Sequence, residues 1–291
     1  MTDAVPRVGV VVLSQGRRPD GLAASLASVL RQEGVALDVV VVGNGWDPVG
    51  LPAGVRGLHL PENLGIPAGR NAGVPLVAGG ALFFLDDDET VPSASFVRDA
   101  LALMRERGDV ALVQPRIVDP TGAATPRRWI PRIRKGDPAD SSAVFSVLEG
   151  AVVVRRDAFE AADGWAGEFF YAHEGIELAW RVWDQGLRAW YAGDLVAHHP
   201  AVAPTRHAEY HRLNARNRVW LARRNLPLPL LPVYVATWTA VQLIRSARGG
   251  DGLGTWLRGW WEGWTTPPGR RRPLSWRTVL RMTRAGRPPV I

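Results

Sequence analysis

The strongest constraint on the fold is a series of short, unbroken apolar runs, rich in valine, separated by segments of helical period. Residues 8–13, 39–42 and 81–85 carry no polar alternation, so each reads as a strand buried on both faces, as strands of parallel sheets are. Further strands are expected at 55–60, 110–113, 147–154 and 187–191. Between them the sequence predicts helices at 22–32, where Leu22, Leu26, Val29 and Leu30 recur at helical spacing, and at 66–77, 93–107, 156–162 and 174–185. Strands alternating with helices at this spacing predict an α/β fold, a mainly parallel sheet with helices on both faces. Ligands of such sheets bind beyond the carboxyl ends of the strands. Residues 120–142, with Pro120, Pro126, Pro131, Gly136 and Pro138, read as a long irregular connection, a type often functional.

Charge divides the chain more sharply than its net +7 suggests. Residues 201–291 hold 16 arginines, no lysine and three acidic residues, which leaves 19 basic and 25 acidic residues in 1–200. Seven of the 13 tryptophans also lie from Trp220 onward. The expected organisation is therefore an α/β domain at 1–204, with halves of about 1–115 and 116–204, followed by an Arg/Trp-rich helical extension at 205–291. That mixture suits an anionic membrane surface, and a solvated basic helix face is the plainer alternative. Residues 226–244 are 19 without a charge, but Pro227, Pro229 and Pro232 crowd the first third and leave a segment of interfacial or buried length. The same tryptophans could instead finish the core. No nucleic-acid module accompanies the charge, so no nucleic-acid partner is expected.

The chain has no cysteine, which excludes disulfides, thiolate metal sites and cysteine nucleophiles; any metal falls to Asp, Glu, His or backbone oxygen. The 8–13 run is too short and too lightly flanked for a signal peptide. A cytoplasmic protein, peripheral on the inner face of the membrane, is expected.

Four segments carry chemistry. Phe83-Phe84-Leu85 runs straight into Asp86-Asp87-Asp88, and adjacent carboxylates at a strand end repel unless a cation such as Mg²⁺ or Mn²⁺, bridging to phosphates, neutralises them. A polar turn capping the next helix is the alternative. Gly69-Arg70-Asn71-Ala72-Gly73 offers an arginine for a phosphate or carboxylate and an amide for a base or sugar. His173-Glu174-Gly175-Ile176-Glu177 gathers acids at a helix start, where the positive helix end favours the ionised carboxylate. His198-His199 follows a strand and suits a metal ligand or a satisfied polar pocket.

In this order and spacing the segments resemble glycosyltransferase family 2, inverting enzymes of the GT-A fold, over about residues 7–200. The likeness also takes in the strand ending at Ser14, the Leu148-Glu149-Gly150 stretch through Arg155-Arg156, and Gly164-Trp165. It implies transfer of a sugar from a nucleoside diphosphate to an acceptor hydroxyl, the acceptor being lipid-linked or a glycan, with Mn²⁺ or Mg²⁺ as cofactor. By resemblance Asp86 and Asp88 are the metal and nucleotide acids, Asp88 the direct ligand, with Asp87 between them at the donor. Ser14, Gly43 and Asn44 line the nucleoside pocket, and Arg70 and Asn71 border the donor. Glu174, or Glu177 one turn on, is the base, and His198 or His199 meets the metal. The family often has an acid where this chain has Gly43, and commonly Glu-Asp where this chain has Glu174-Gly175. A nucleotidyltransferase of related fold and a sugar-nucleotide binder without turnover are the competing readings.

Overall fold

The computed structural model describes residues 5–132, 136–201, 208–248 and 252–290. The first 200 residues run β1 (Arg7–Ser14), α1 (Pro19–Leu30), β2 (Ala36–Asn44), β3 (Val55–Leu60), α2 (Ile66–Gly73), β4 (Ala81–Asp86), α3 (Phe96–Glu106), β5 (Val110–Val118), β6 (Ser142–Val144), β7 (Ala151–Arg155), α4 (Arg156–Ala161), α5 (Glu174–Asp184) and β8 (Arg188–His198). The strands form one sheet in the order β3-β2-β1-β4-β7-β5-β8-β6. β1, β2, β3 and β4 pair in parallel, as do β5 and β8; β7 is antiparallel to β4 and β5, and β6 to β8.

The apolar runs become the inner strands because both their faces are covered. Val10, Val12, Phe83 and Leu85 meet Leu22, Leu26 and Val29 of α1 and Phe96 and Val97 of α3 on one face. Val11, Val40, Leu82 and Phe84 meet Phe159 of α4 and Leu178 and Val182 of α5 on the other. Burial of this apolar area is the main stabilising term.

Several expected elements differ: β5 runs on to Val118, α1 is Pro19–Leu30, and β6 is not among the expected strands. The helix expected over 66–77 ends at Gly73 and tightens into a 3₁₀ turn at Val74–Leu76, because Pro75 has no N–H to continue the ladder. The strand expected from residue 147 begins at Ala151; before it, the Leu148 N–H donates to the Gln114 side chain. The last strand runs on to His198, with a register shift where Pro115 and Arg116 face it.

The tail forms α6 (Ala208–Asn225), α7 (Leu230–Ala247), α8 (Leu253–Thr265) and α9 (Trp276–Arg284). Pro227 and Pro229 precede α7, and Pro232 sits in its first turn, where a missing N–H is harmless, so the helix is longer than the prolines suggested. Among the described residues no helix is long and apolar enough to cross a membrane. A third apolar cluster joins Phe145, Phe169, Trp180 and Trp183 to Val219, Trp220, Leu226, Tyr234, Leu274 and Met282 of the tail. The expected boundary at residue 204 lies outside the described residues.

Candidate active site

Parallel pairing of β1 with β4 puts Leu13 opposite Asp86, so the carboxyl ends of both strands open on one edge. There the three acids diverge. Asp86 accepts from Arg70 Nη2 at 2.6 Å. Asp87 is buried and accepts from Ser14 Oγ at 2.7 Å and Arg18 Nη1 at 3.1 Å, so Ser14 and Asp87 hold the two strand ends together. Asp88 Oδ2 lies 2.9 Å from Arg18 Nη1 and 3.7 Å from His199 Nε2. Burial, and then the neighbouring Asp86 charge, raise the Asp88 pKa.

Asp86 and Asp88 serve different cavities. Asp86 lines one of 450 Å³ with Arg70, Glu149, Tyr171, Glu174 and Asn214. Asp88 lines one of 540 Å³ with Arg17, Arg18, Gly21 and His198. Both histidines lie by Asp88: His199 Nε2 faces its carboxylate and its ring is T-shaped to Trp129, whereas His198 lines the same cavity as Asp88 and its backbone pairs with Thr90.

Two residues expected at the donor spend their side chains on the fold. Asn44 is buried and donates to Asn63 Oδ1 and the Gly65 carbonyl while accepting from Leu64 N. Asn71 donates to the Trp165 carbonyl and accepts its N–H. Both staple loops and thereby set the walls of the site. At Gly43 a Cβ would lie 2.0 Å from the Trp46 carbonyl, so this turn leaves no room for an acid. Trp46 itself, pressed against Gly16, had no signal beyond its being an aromatic after a strand.

Glu174 opens α5 at the end of a strained segment. Asp163, Phe170, Ala172 and His173 are the non-glycine residues with positive φ among the described residues, and three of them lead directly into Glu174. Each costs on the order of 1–3 kcal/mol and persists only where the surroundings over-determine it. Here α6 does so: Asn217, fully buried, donates from one amide to the carbonyls of Phe169, Tyr171 and Ala172. His173 Nε2 lies 3.0 Å from the Asn214 carbonyl, and burial holds its pKa well below the usual value.

Glu174 is 2% exposed and its Oε2 has no partner. Burial, then the Glu149 charge, push its pKa up to about 8. Glu149 is a site residue the sequence reasoning passed over as part of a stretch. Its Oε1 accepts from Gly175 N at 2.7 Å, and a Cβ at Gly175 would lie 2.3 Å from that oxygen. The Glu149 carboxyl therefore fills the space a side chain at 175 would need, and its pKa too is raised by burial. Glu89, buried beneath Gly150, was likewise missed; burial raises its pKa well above normal.

Glu177 is not brought into this cavity. It is buried on the opposite side of the turn, where Oε1 accepts from Arg224 Nε at 2.8 Å and Asn225 Nδ2 at 3.1 Å, with Arg181 Nη2 at 3.5 Å. One helical turn from Glu174, Glu177 ties α5 to the tail and is absent from the lining of the Glu174 cavity. Removing one partner of a buried pair leaves an uncompensated charge, so Glu177→Ala is expected to cost about 3–5 kcal/mol of stability, read by urea unfolding. Glu177→Gln, which keeps an oxygen for Asn225, should cost less. Either variant, while folded, should turn over as the parent does; a loss of turnover like that of a base would reverse the assignment.

For a divalent metal the available donors are the Asp86 and Asp88 carboxylates and the His199 imidazole, oxygen-rich as Mg²⁺ and Mn²⁺ prefer. The 3.7 Å between Asp88 Oδ2 and His199 Nε2 is too long for a hydrogen bond and leaves room for an ion between them. Among the described residues no three such side chains already converge, so diphosphate oxygens and water would complete the shell, the usual arrangement for Mg²⁺. On these terms the residues fit.

The model of the family described as Glycosyl transferase family 2 matches residues 10–162. The "Pre-mycofactocin glycosyltransferase" of Mycobacterium tuberculosis is 29% identical over 204 residues, covering 65% of this chain and 40% of that protein; the chain thus spans about two fifths of the curated relative it matches. Among solved structures, GalNAc-T7 with UDP, GalNAc and Mn²⁺ aligns with a TM-score of 0.62 at 13% identity, over 80% of this chain and 50% of that one. The mannosyltransferase PcManGT of Pyrobaculum calidifontis, in complex with GDP-Man and Mn²⁺, aligns with a TM-score of 0.58 at 17% identity, over 86% and 77%. At these identities the likeness is one of fold, and the fold is the GT-A arrangement with added C-terminal helices.

Proposed function

The chain belongs to glycosyl transferase family 2, and from that premise we propose that it is an inverting, metal-dependent transferase acting on a nucleoside diphosphate sugar. The observation that carries this is one cavity at the end of β4 in which Glu174, Arg70 and Asp86 meet. The sugar occupies that cavity and the diphosphate lies across Asp86 and Asp88. Arg18 and Arg70, which pair with those acids, then face the phosphates. An acceptor oxygen attacks the anomeric carbon, its proton passes to the Glu174 carboxylate, and the bond to the diphosphate oxygen breaks with the electron pair leaving on the diphosphate. One base suffices for such a single displacement, unlike hydrolysis by a carboxylate pair. Asp88, Asp86 and His199 would hold Mn²⁺ or Mg²⁺, which when bound stabilises charge on the departing diphosphate. We place the protein in the cytoplasm, at a membrane surface through its tail.

A panel of nucleotide sugars with purified protein and Mn²⁺, read by product, tests the reaction. Release of a nucleoside diphosphate is expected; release of pyrophosphate would identify a nucleotidyltransferase instead, and tight donor binding with no turnover a binding protein. Asp88→Ala is expected to remove the metal-dependent part of nucleoside diphosphate affinity in calorimetry with and without Mn²⁺. Equal metal dependence in parent and variant would sink the ligand assignment.

A further inference from the structure

Resting on the transfer reading above, we propose that Glu149 is a positioning residue for Glu174: its carboxylate caps α5 from outside the helix and so sets where the base stands. The start of α5 has no side-chain cap of its own. His173, at the N-cap position, is left-handed and makes no side-chain cap bond. Its carbonyl accepts from Ile176 N and Glu177 N, which leaves the N–H of Gly175, one of those a helix cannot pair at its start, to an outside partner. Glu149 Oε1 is that partner at 2.7 Å. Val147 N donates to the Gly175 carbonyl at 3.4 Å, so one short segment, 147–149, holds Gly175 by both its N–H and its carbonyl, directly after Glu174.

Gly175 itself points to this contact. Its φ is not positive, so the backbone does not call for glycine, and glycine in a helix is unfavourable beside alanine. What glycine provides is room: a Cβ would lie 2.3 Å from both Glu149 Oε1 and the Val147 carbonyl oxygen.

The same segment is anchored on the sheet. Leu148 N donates to the Gln114 side chain at 2.7 Å, and the Gly150 carbonyl accepts from Asp86 N at 2.8 Å. Glu149 therefore links the strand end that carries Asp86 to the helix turn that carries Glu174, and all three line one cavity. Two carboxyl groups in one cavity take different roles when their surroundings differ. That of Glu149 is engaged by α5, whereas Glu174 Oε2 has no partner and is free for the proton of an acceptor.

Two conservative variants separate reach from charge, and they report even where Glu149→Ala folds poorly. Glu149→Asp keeps the charge but draws the oxygen back by one methylene; Glu149→Gln keeps an oxygen within reach of Gly175 N but has no charge. Turnover is read with Mn²⁺ as nucleoside diphosphate released from the nucleotide sugar of the panel above that the parent hydrolyses fastest. The assay is run near pH 9, above the Glu174 pKa of about 8, so that it reads position rather than protonation. Glu149→Ala and Glu149→Asp are expected to lower kcat at least about tenfold, since a misplacement of about 1 Å can cost on the order of 10²-fold, with KM and nucleoside diphosphate affinity within about twofold of the parent. Glu149→Gln should recover most of that loss. The Gly175 amide should exchange its hydrogen at least about fivefold faster in Glu149→Ala and Glu149→Asp, the worth of one helix cap, but not in Glu149→Gln. Parental kcat in Glu149→Asp, a loss in Glu149→Gln as deep as in Glu149→Ala, or an equal loss of kcat and diphosphate affinity overturns the proposal, and so does unchanged exchange at Gly175. A chain that releases no nucleoside diphosphate loses the transfer reading, whereas one that turns over yet ignores Glu149→Asp loses only the positioning role.

Discussion

Glu174→Gln is expected to lower turnover at least about 100-fold with little change in donor affinity, because general-base assistance is worth ~10²–10⁴ in rate and the amide keeps the shape but cannot take the proton. The raised pKa, about 8, adds a signature that a merely structural residue would lack. A base must be ionised, so kcat/KM of the parent should climb as pH rises toward about 8 and then level, and the residual activity of Glu174→Gln should not follow that curve. Stability moves the other way. The folded chain keeps a proton that the unfolded chain releases near the ordinary glutamate value, so the contribution is full below that value and is lost as pH rises through the folded pKa. The melting-temperature difference between Glu174→Gln and the parent should therefore grow in the variant's favour from pH 5 to pH 9. A variant with parental turnover, or a parent rate flat from pH 6 to pH 9, would remove Glu174 from the role.

The strands were legible because a parallel sheet buries both faces, and nothing but an uninterrupted apolar run such as 81–85 can occupy its centre. The Asp86–Asp88 cluster was legible for a related reason: charge directly after such a run has only the strand end to occupy. What sequence withheld was direction. Glu174 and Glu177 stand three residues apart on one helix, yet α5 turns the first into the cavity and the second toward Arg224, a distinction that depends on what packs on each face. Asn44 and Asn71 had the right chemistry for a ligand but meet backbone 20–94 residues away, and no local pattern reports such partners. Glu149, Asn217 and Tyr210 were missed for the same reason: Glu149 meets the Gly175 N–H 26 residues on, and Asn217 and Tyr210 reach the site only once the tail has closed on the α5 side of the sheet.

That closure sets the last expectation, which concerns residues 205–291. Truncation after residue 204 would uncover Phe145, Phe169, Trp180 and Trp183 from the third apolar cluster, strip the three Asn217 bonds from the strained loop before Glu174, and take Arg224 and Asn225 from Glu177, leaving it Arg181. Burying each large side chain is worth ~1.5–3 kcal/mol, so losing four of them weighs heavily against a total stability of ~5–15 kcal/mol. The truncated chain is expected to show no cooperative unfolding and no turnover. The tail also keeps exposed apolar side chains on α7, α8 and α9. Among the described residues Leu228, Val233, Leu243, Ile244, Leu257 and Leu280 are exposed, and Trp261 and Trp276 remain 64% and 58% exposed, on a segment whose charge is almost wholly arginine. Exposed tryptophan beside arginine suits an anionic membrane surface, while Trp256 is buried and Trp260 and Trp264 pack against the third cluster. Full-length protein is thus expected to sediment with vesicles in proportion to their anionic lipid and to be released by salt. Trp261→Ser with Trp276→Ser should weaken that binding without shifting the unfolding midpoint. Indifference to anionic vesicles at low salt would leave the tail as core alone, and a truncated chain that still unfolds cooperatively would show that the helices merely adorn a complete domain.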